Sequence, residues 1–213
     1  MTYNNIIIAK GGGCVAAAVL VLRLNRPLTE AETAALEQIL PQERRERLNR
    51  QRVREKREQA LCAYGLLALA LRRRFGWQYL PRVGWTEQGK PLFPDAPDIF
   101  FNVSHTDGAV LAGIADSPIG VDIERIRPVG QRIVERMGAE TPEAFFGLWV
   151  CQEAQGKRSG EGIASVLSGK AFPETEEPYF ELRPFEGYVA GVALTEEIRP
   201  PEVQTVSMEE LFA

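Results

Sequence analysis

The chain has 213 residues, of which 45% are hydrophobic and 25% charged, a composition typical of a globular protein with one large domain or two small ones. Its net charge of −4 gives no general attraction to nucleic acids or membrane surfaces, and neither is expected as a partner. Three widely separated cysteines (Cys14, Cys62 and Cys151) and a single histidine argue against a disulfide framework and a zinc cluster, and indicate free thiols in a reducing compartment.

The most apolar run, residues 14–22, is too short to cross a bilayer. It has the length of a signal-peptide core, but Arg23, Asn25 and Arg26 follow it where a cleavage site needs small residues. Its valines and leucines favour instead a first strand over residues 15–24, covered on both faces. We therefore expect a cytoplasmic protein.

Helical patterns follow this strand. Thr29 and Glu32 form a capping box, which predicts a helix that ends near Leu40, before Pro41. Residues 42–74 then show one long helical pattern, and its apolar second half is expected in the core.

The first half of that long helix is dense in arginine. Eight cations stand against four glutamates; the cations are Arg44, Arg45, Arg47, Arg50, Arg52, Arg54, Lys56 and Arg57. A solvated face with i,i+4 ion pairs explains this pattern, and so does a binding surface for a polyanionic ligand. The composition does not separate the two interpretations.

A turn and a strand carry the next polar residues. Gly89 gives the turn its backbone freedom, and Lys90 beside it would ordinarily be exposed. Residues 100–103 form a short apolar strand that leads into Ser104 and His105. No second histidine and no nucleophile-elbow motif accompany this serine, so nucleophilic serine catalysis is not expected.

Asp122 and Glu124 are the strongest sign of a site. They stand at i and i+2 in a strand-like run, so both carboxylates lie on one face and Val121 and Ile123 on the other. Two carboxylates on one face, backed by apolar residues, are typical of one side of a site for a hard divalent cation.

A short echo links two distant parts of the chain. Residues 110–115 read VLAGIA and residues 188–194 read YVAGVAL, and both are patterns of buried strands. This internal repeat favours two similar halves joined near Pro118.

A helix is predicted over residues 131–137, and Thr141 with Pro142 begins another. On the second helix, Glu153 and Lys157 share a face at i and i+4, for which a surface ion pair is the commoner explanation. A turn-rich stretch up to Phe172 follows. The remaining predicted elements are strands at 179–182 and 187–194 and a last strand with a helical tail near 206–211.

Four blocks, in this order, resemble motifs of the 4′-phosphopantetheinyl transferase superfamily, of the two-domain type that activates surfactin synthetase. They are Gly89-Lys90-Pro91, Phe101-Asn102-Val103-Ser104-His105, Pro118-Ile119-Gly120-Val121-Asp122-Ile123-Glu124, and Trp149-Val150-Cys151-Gln152-Glu153-Ala154 with Lys157. Each block alone is a weak signal. Together, over about residues 85–160, they identify the chain as a member of the superfamily.

The resemblance implies an enzyme that transfers the phosphopantetheine arm of coenzyme A to a serine of an acyl- or peptidyl-carrier protein and releases adenosine 3′,5′-bisphosphate. It implies Mg²⁺ held by Asp122, Glu124 and Glu153, because charge on the phosphoryl oxygens must be held by a cation. Asp122, Glu153 and Lys157 would be the catalytic residues. The residues implied for coenzyme A are Arg57, Gly89, Lys90, Ser104, His105 and Lys157, with Arg44 and Arg47 as further candidates.

Two departures from the family pattern are visible. Gln152 stands where the family usually has lysine, which removes a cation beside a metal carboxylate. The segment from Glu124 to Trp149 is shorter than is common, and related enzymes carry there an acidic residue proposed as general base. Glu140 and Glu143 are the candidates for that role. We predict instead deprotonation of the serine by a metal-linked water or by one of the carboxylates already named.

The resemblance also implies an architecture. We expect an α+β fold, a pseudo-dimer of two similar α/β halves, each a small, mostly antiparallel sheet packed with helices, with the active site in the cleft between them. Residues 1–118 would contribute coenzyme A contacts and residues 119–213 the metal and catalytic residues, in a monomer. The alternatives are an impaired homologue that only binds coenzyme A or a carrier domain, and another Mg²⁺-dependent phosphotransferase.

Overall fold

A computed structural model describes residues 17–160, 178–195 and 200–213 and shows a mixed α+β protein in which small sheets pack against helices. The helices in these parts are α1 (Glu30–Ile39), α2 (Gln42–Asn49), α3 (Arg54–Phe75), α4 (Gln131–Arg136), α5 (Pro142–Ser159) and α6 (Met208–Leu211). The strands are β1 (Ala18–Arg23), β2 (Gly84–Trp85), β3 (Pro91–Leu92), β4 (Phe100–Thr106), β5 (Ala109–Ala115), β6 (Ile119–Arg125), β7 (Tyr179–Leu182), β8 (Tyr188–Leu194) and β9 (Glu202–Val206).

The strands form two main sheets and a hairpin. The first sheet has the order β4-β5-β1-β9, with β1 antiparallel to β5 and parallel to β9. The second sheet, β6-β8-β7, is antiparallel throughout. Strands β2 and β3 form the separate hairpin, and its turn holds Gly89 at a φ of +85°, as the turn prediction required.

The two sheets pack face to face, and each is covered by helices on its outer face. Side chains such as Val19, Leu111, Val121 and Val192 form the core between the sheets. Alternate residues of β1 and β5 pack against α3, whereas the outer face of the second sheet packs against α5. Because Val121 and Ile123 point into the sheet–sheet core, Asp122 is left on the face that meets α5.

The long helix predicted over residues 42–74 is wrong as a single element. The chain leaves the helix after Asn49, and the residue before α3, Val53, has extended backbone angles. This break lets α2 fold back against α3, where the guanidinium of Arg44 lies 4.2 Å from the ring centre of Tyr64. In a continuous helix, the 20 residues between them would separate the two by about 30 Å.

Most other predicted element types and helix starts are confirmed. Thr29 caps α1 with the predicted capping box, and Thr141 caps α5 with Pro142 in the first turn. Strand β4 continues through Ser104 and His105 to Thr106, further than predicted, because its backbone pairs with β5 over its whole length. The echoed segments are β5 and β8, and both are buried over their full length.

The end of the chain returns to the first sheet. Strand β9 pairs with β1, and Leu211 of α6 joins the core beside α3. The division between residues 118 and 119 therefore stays a prediction, because β9 follows this point in the chain but belongs to the first sheet.

Cys62 and Cys151 are free thiols, whereas Cys14 and residues 161–172 of the turn-rich stretch lie outside the described residues. Among the helices that the structure describes, none is long and apolar enough to cross a bilayer.

Candidate active site

Asp122, Ser104 and Lys157 form the centre of the site. Ser104 Oγ donates to Asp122 Oδ1 over 2.7 Å, and Lys157 Nζ donates to the same oxygen over 2.6 Å. Lys157 also donates to Ser104 Oγ over 3.1 Å and to the carbonyl of Val121 over 3.3 Å. The ion pair predicted between Glu153 and Lys157 is thus replaced, among the described contacts, by a pair between Lys157 and Asp122.

These residues meet because β4 and β6 run side by side in the same direction at the edges of their sheets. Side chains rather than a backbone ladder join the two strands. Asn102 Oδ1 accepts from the N–H of Val121 over 3.0 Å, and Thr106 Oγ1 donates to Glu124 Oε2 over 3.0 Å. Alternation places Asn102, Ser104 and Thr106 on one side of β4, so these three contact β6 in turn.

One carboxylate oxygen of Asp122 is buried and unpaired in the described structure. The residue is only 5% exposed, and within the described parts of the chain its Oδ2 has no hydrogen-bond partner. A buried carboxylate oxygen without a donor is costly unless something else binds it. A cation supplied with a ligand fits this atom.

Glu124 and Glu153 flank Asp122. Arg127 Nη1 donates to Glu124 Oε2 over 3.0 Å, so the carboxylate receives both this arginine and Thr106. Burial, together with the nearby charges of Asp122 and Glu124, raises the pKa of Glu153 to about 7, and Lys157 acts in the opposite direction. This sensitivity to both aspartate and glutamate shows that the three carboxylates share one electrostatic environment.

The carboxylates do not form a complete metal site by themselves. Across residues 17–160, 178–195 and 200–213, no three His, Cys, Asp or Glu side chains converge closely enough to hold an ion. Mg²⁺ is ordinarily held by one or two carboxylates, with water and substrate phosphate oxygens in the other positions. The unpaired oxygen of Asp122 and the carboxylate oxygens beside it fit such a site. Phosphate oxygens of a substrate would complete it.

A cationic cavity of about 350 Å³ adjoins this centre. Four cations line it: Arg44 and Arg47 from α2, Lys90 from the hairpin turn, and Lys157. Burial is the main cause of a lowered pKa at Arg44, with a further contribution from Arg47. Clustered, partly desolvated cations of this kind suit an anionic ligand.

Aromatic rings hold two of these arginines. Arg44 lies over Tyr64, and the Arg47 guanidinium lies 5.6 Å from the ring centre of Trp85. Neither aromatic partner was predictable from the sequence, because neither belongs to a motif and both come from other elements. Two contacts with Glu124, from Thr106 and from Arg127, were also not predicted. The contact of Thr106 had a signal in the sequence, because Thr106 follows Ser104 at a spacing of two residues on a strand.

His105 lies where the cationic cavity meets a second one. The second cavity, of about 260 Å³, is lined by the carboxylates, Ser104 and Trp149, and it shares Val103, His105 and Lys157 with the first. Desolvation lowers the pKa of His105 despite its exposed edge, and Lys157, Lys56 and Arg44 lower it further while Asp122 opposes them. The imidazole is therefore neutral near pH 7.

Some sequence-predicted residues lie elsewhere. Arg57 lines neither cavity; its Nη2 donates to Glu37 and, over 2.9 Å, to Asn49, and thereby ties α3 to α1 and α2. Glu140 and Glu143 are exposed and outside both linings.

Gln152 also lies outside both linings, and its buried Oε1 has no partner among the described residues. The other predicted residues converge: Gly89, Lys90, His105 and Lys157 line the cationic cavity, whereas Ser104, His105, Asp122, Glu124, Glu153 and Lys157 line its neighbour.

Comparison with known proteins gives one class of relative. No protein-family model matches the chain. The chain is 26% identical over 218 residues to the 4′-phosphopantetheinyl transferase Sfp of Bacillus subtilis, covering 89% of this chain and 97% of the relative. It is 34% identical over 137 residues to the 4′-phosphopantetheinyl transferase psf-1 of Bacillus pumilus, covering 58% of this chain and 54% of the relative.

A third relative, the 4′-phosphopantetheinyl transferase gsp of Aneurinibacillus migulanus, is 37% identical over an alignment of 90 residues, covering 36% of this chain and 37% of the relative. Residues from all four motif blocks line the two joined cavities. Relatives of a single class thus cover most of the chain, and the motifs shared with that class meet in space. Over most of its length the chain is therefore similar to 4′-phosphopantetheinyl transferases, a class of enzymes, and in particular to the type that Sfp represents.

Proposed function

We propose that this protein transfers the 4′-phosphopantetheine group of coenzyme A to a serine of an apo acyl- or peptidyl-carrier protein, with release of adenosine 3′,5′-bisphosphate and dependence on Mg²⁺. The observation that carries this proposal is the buried Oδ2 of Asp122, unpaired among the residues that the structure describes, in a residue that lines the cavity joined to the cationic one. The names of the relatives support the same class of reaction.

Coenzyme A fits the two joined cavities by charge. The cationic cavity, lined by Arg44, Arg47 and His105, suits the 3′-phosphate and ribose. The carboxylate side then receives the diphosphate, and Asp122, Glu124 and Glu153 would hold Mg²⁺ there once the diphosphate supplies further oxygens. The ion would supply neutralisation of the charge that develops on the phosphoryl oxygens. Gly89 and Lys90 also line the cationic cavity, whereas Arg57 lies outside both cavities, so its contact with coenzyme A stays a prediction.

Lys157 has a place in this chemistry. Its ammonium lies 2.6 Å from Asp122 Oδ1 and 3.1 Å from Ser104 Oγ, and Lys157 itself lines both cavities. A phosphate oxygen placed there would receive a charge-assisted hydrogen bond from Lys157, and Ser104 Oγ is near enough to offer a second. Lys157 thereby orients the diphosphate for attack by the carrier serine, with Asp122 holding the ammonium in place.

The architecture proposed for this reaction is two similar halves with the site in the cleft between them. Residues 1–118 would supply coenzyme A contacts and residues 119–213 the metal and catalytic residues. The adjacency of β4 and β6, which join the edges of the two sheets beside the site, supports this arrangement. We further propose a cytoplasmic monomer.

The test is intact-mass spectrometry of apo-carrier proteins incubated with coenzyme A, Mg²⁺ and the protein. A mass gain of one phosphopantetheine, dependent on Mg²⁺, is the expected result. Release of adenosine bisphosphate without a carrier would indicate another phosphotransferase. Binding of coenzyme A with no mass gain on any of several carriers would contradict the enzyme and indicate an impaired homologue.

The general base is expected among the groups of the site rather than in the segment before α5. Glu140 and Glu143 are exposed and line neither cavity, so Glu140→Ala and Glu143→Ala are expected to leave the turnover number within about twofold of the parent. Single-turnover kinetics on one apo-carrier measures this. A loss of about 10²-fold in either variant would identify that residue as the base.

Coenzyme A binding is expected to weaken as pH rises from 7 to 8, because His105 is neutral in the free protein and a phosphate beside it raises its pKa. Binding then takes up a proton. The groups facing His105 (Lys157, Lys56, Arg44 and Asp122) influence its pKa before coenzyme A binds. One linked proton changes the dissociation constant by at most about tenfold per pH unit, and we expect about threefold.

Isothermal titration of coenzyme A against pH measures this linkage. His105→Gln, which keeps a neutral donor, should lose the His105 part of the slope, and dephospho-coenzyme A, which lacks the 3′-phosphate, should not show that part even with the parent protein. An unchanged slope in the glutamine variant would place the linked proton on another group.

A further inference from the structure

The ammonium of Lys90 contacts the backbone at the end of α5 and at the start of β6. Its Nζ donates to the carbonyl of Arg158 over 2.5 Å and to the carbonyl of Ile119 over 3.4 Å. Arg158 belongs to the last turn of α5, and Ile119 is the first residue of β6. The side chain thus joins the β2–β3 hairpin to two elements of the second sheet layer.

The last carbonyls of a helix need partners from outside it. The final four have no intrahelical donor and carry the negative end of the helix dipole, and a lysine ammonium satisfies both needs. Lys90 supplies this cap from 68 residues away in the chain. Its stem also packs beside Gly160, the C-cap residue with a φ of +87°.

The capped turn lies next to catalytic side chains. Lys157 immediately precedes Arg158, and Glu153 lies on the same helix. The helix is held against β6 over the same stretch, where the backbone of Ala154 and Arg158 closely approaches Gly120. The position of Lys157 relative to Asp122 therefore depends on how firmly the last turn of α5 is held.

We propose that Lys90 is a positioning residue: its ammonium caps the last turn of α5 and so holds Lys157 against Asp122 and Ser104, rather than neutralising a phosphate of the ligand by direct contact. Burial lowers the pKa of Lys90 to about 8, with a smaller contribution from Arg158, so the ammonium is already withdrawn from solvent in the free protein. The part of the inference that concerns turnover rests on the proposed transfer reaction.

The competing role is a direct bond from Lys90 to the 3′-phosphate, since the residue also lines the cationic cavity. The two roles differ in what they discriminate. A lysine that binds the 3′-phosphate directly strengthens the binding of coenzyme A relative to that of dephospho-coenzyme A. A helix cap acts equally on both ligands, because neither touches it.

The experiment uses Lys90→Met, which keeps the stem and removes the ammonium, in the full chain. Hydrogen exchange at the amides of residues 158–160 should speed up by about tenfold or more, and the ratio of the two dissociation constants should stay within about twofold. The turnover number should fall by about tenfold or more with the KM for coenzyme A changed much less, because a displaced Lys157 spoils orientation. Lys90→Arg, which keeps a donor, should restore part of the protection.

Arg82→Met is the matched control. It removes one positive charge just before the same hairpin, where Arg82 is exposed and pairs with Asp95, and it should leave exchange and kinetics unchanged. Unchanged exchange in Lys90→Met, or a tenfold loss of preference for coenzyme A over dephospho-coenzyme A, would overturn the capping role. The hydrogen-exchange measurement needs neither ligand nor turnover. It therefore distinguishes failure of the capping role from failure of the transferase proposal.

Discussion

Replacing Asp122 by asparagine is expected to lower the rate of phosphopantetheine transfer by about 10³-fold while the protein stays folded. Asp122 is 5% exposed, its Oδ1 binds Ser104 and Lys157, and its Oδ2 is the unpaired oxygen proposed for the metal. An amide has nearly the same shape but no charge. Its NH₂ group would present hydrogens either to the cation or to Lys157, and both contacts are repulsive.

Alanine at the same position is a harsher change. Asparagine keeps a carbonyl oxygen that can accept from the Lys157 ammonium, whereas alanine leaves this charge without any partner, which costs about 3–5 kcal/mol in a buried pair. Loss of activity in Asp122→Ala alone would thus mix chemistry with stability. Thermal unfolding of both variants separates the two, because the asparagine variant should unfold much closer to the parent.

The measurement is single-turnover transfer to one apo-carrier at saturating Mg²⁺, together with the Mg²⁺ concentration that gives half the maximal rate. Asp116→Asn is the matched control, since Asp116 lies in the turn just before β6, is exposed and pairs with Arg74. It should change the rate by less than about twofold. A folded Asp122→Asn protein that retained a tenth of the parent rate would contradict the assignment of Asp122 to the metal.

The strand face of the site was predictable because it depends on local spacing. The period of two residues places Asp122 and Glu124 together and turns Val121 and Ile123 inward, and the structure shows this division at Asp122, Val121 and Ile123. The start of α5 was predictable for a similar reason, since capping depends on neighbours in sequence.

The partners across the fold were not predictable in this way. Lys157 pairs with Asp122, 35 residues away, rather than with Glu153 on its own helix. The spacing of four residues permits a pair on the helix but cannot show that a more buried carboxylate from β6 competes for the same ammonium. The helix break after Asn49 had no proline or glycine to mark it, and it is stabilised by contacts such as Arg44 on Tyr64 that form only in the fold.

Gly120 is the position where a single added carbon should disturb both the fold and the site. A Cβ there would lie 1.9 Å from the carbonyl oxygen of Ala154 and 2.4 Å from the amide nitrogen of Arg158. Both are backbone atoms of α5, so no side-chain rotation relieves the overlap, and the helix must move away from β6. We expect Gly120→Ala to lower the free energy of unfolding by about 3 kcal/mol or more.

For a chain of this length, that loss corresponds to a fall of about 6–12 °C in the unfolding midpoint, which calorimetry measures. Transfer should also fall by about 10²-fold, because the displaced helix carries Glu153 and Lys157 and misplacement of about 1 Å has effects of that size. Gly130→Ala is the matched control: a Cβ at Gly130 meets nothing within 4 Å, and its φ of −60° suits any residue. It should alter stability by less than about 1 kcal/mol. Equal effects of the two substitutions would mean that the approach of α5 to β6 at Gly120 does not hold the site together.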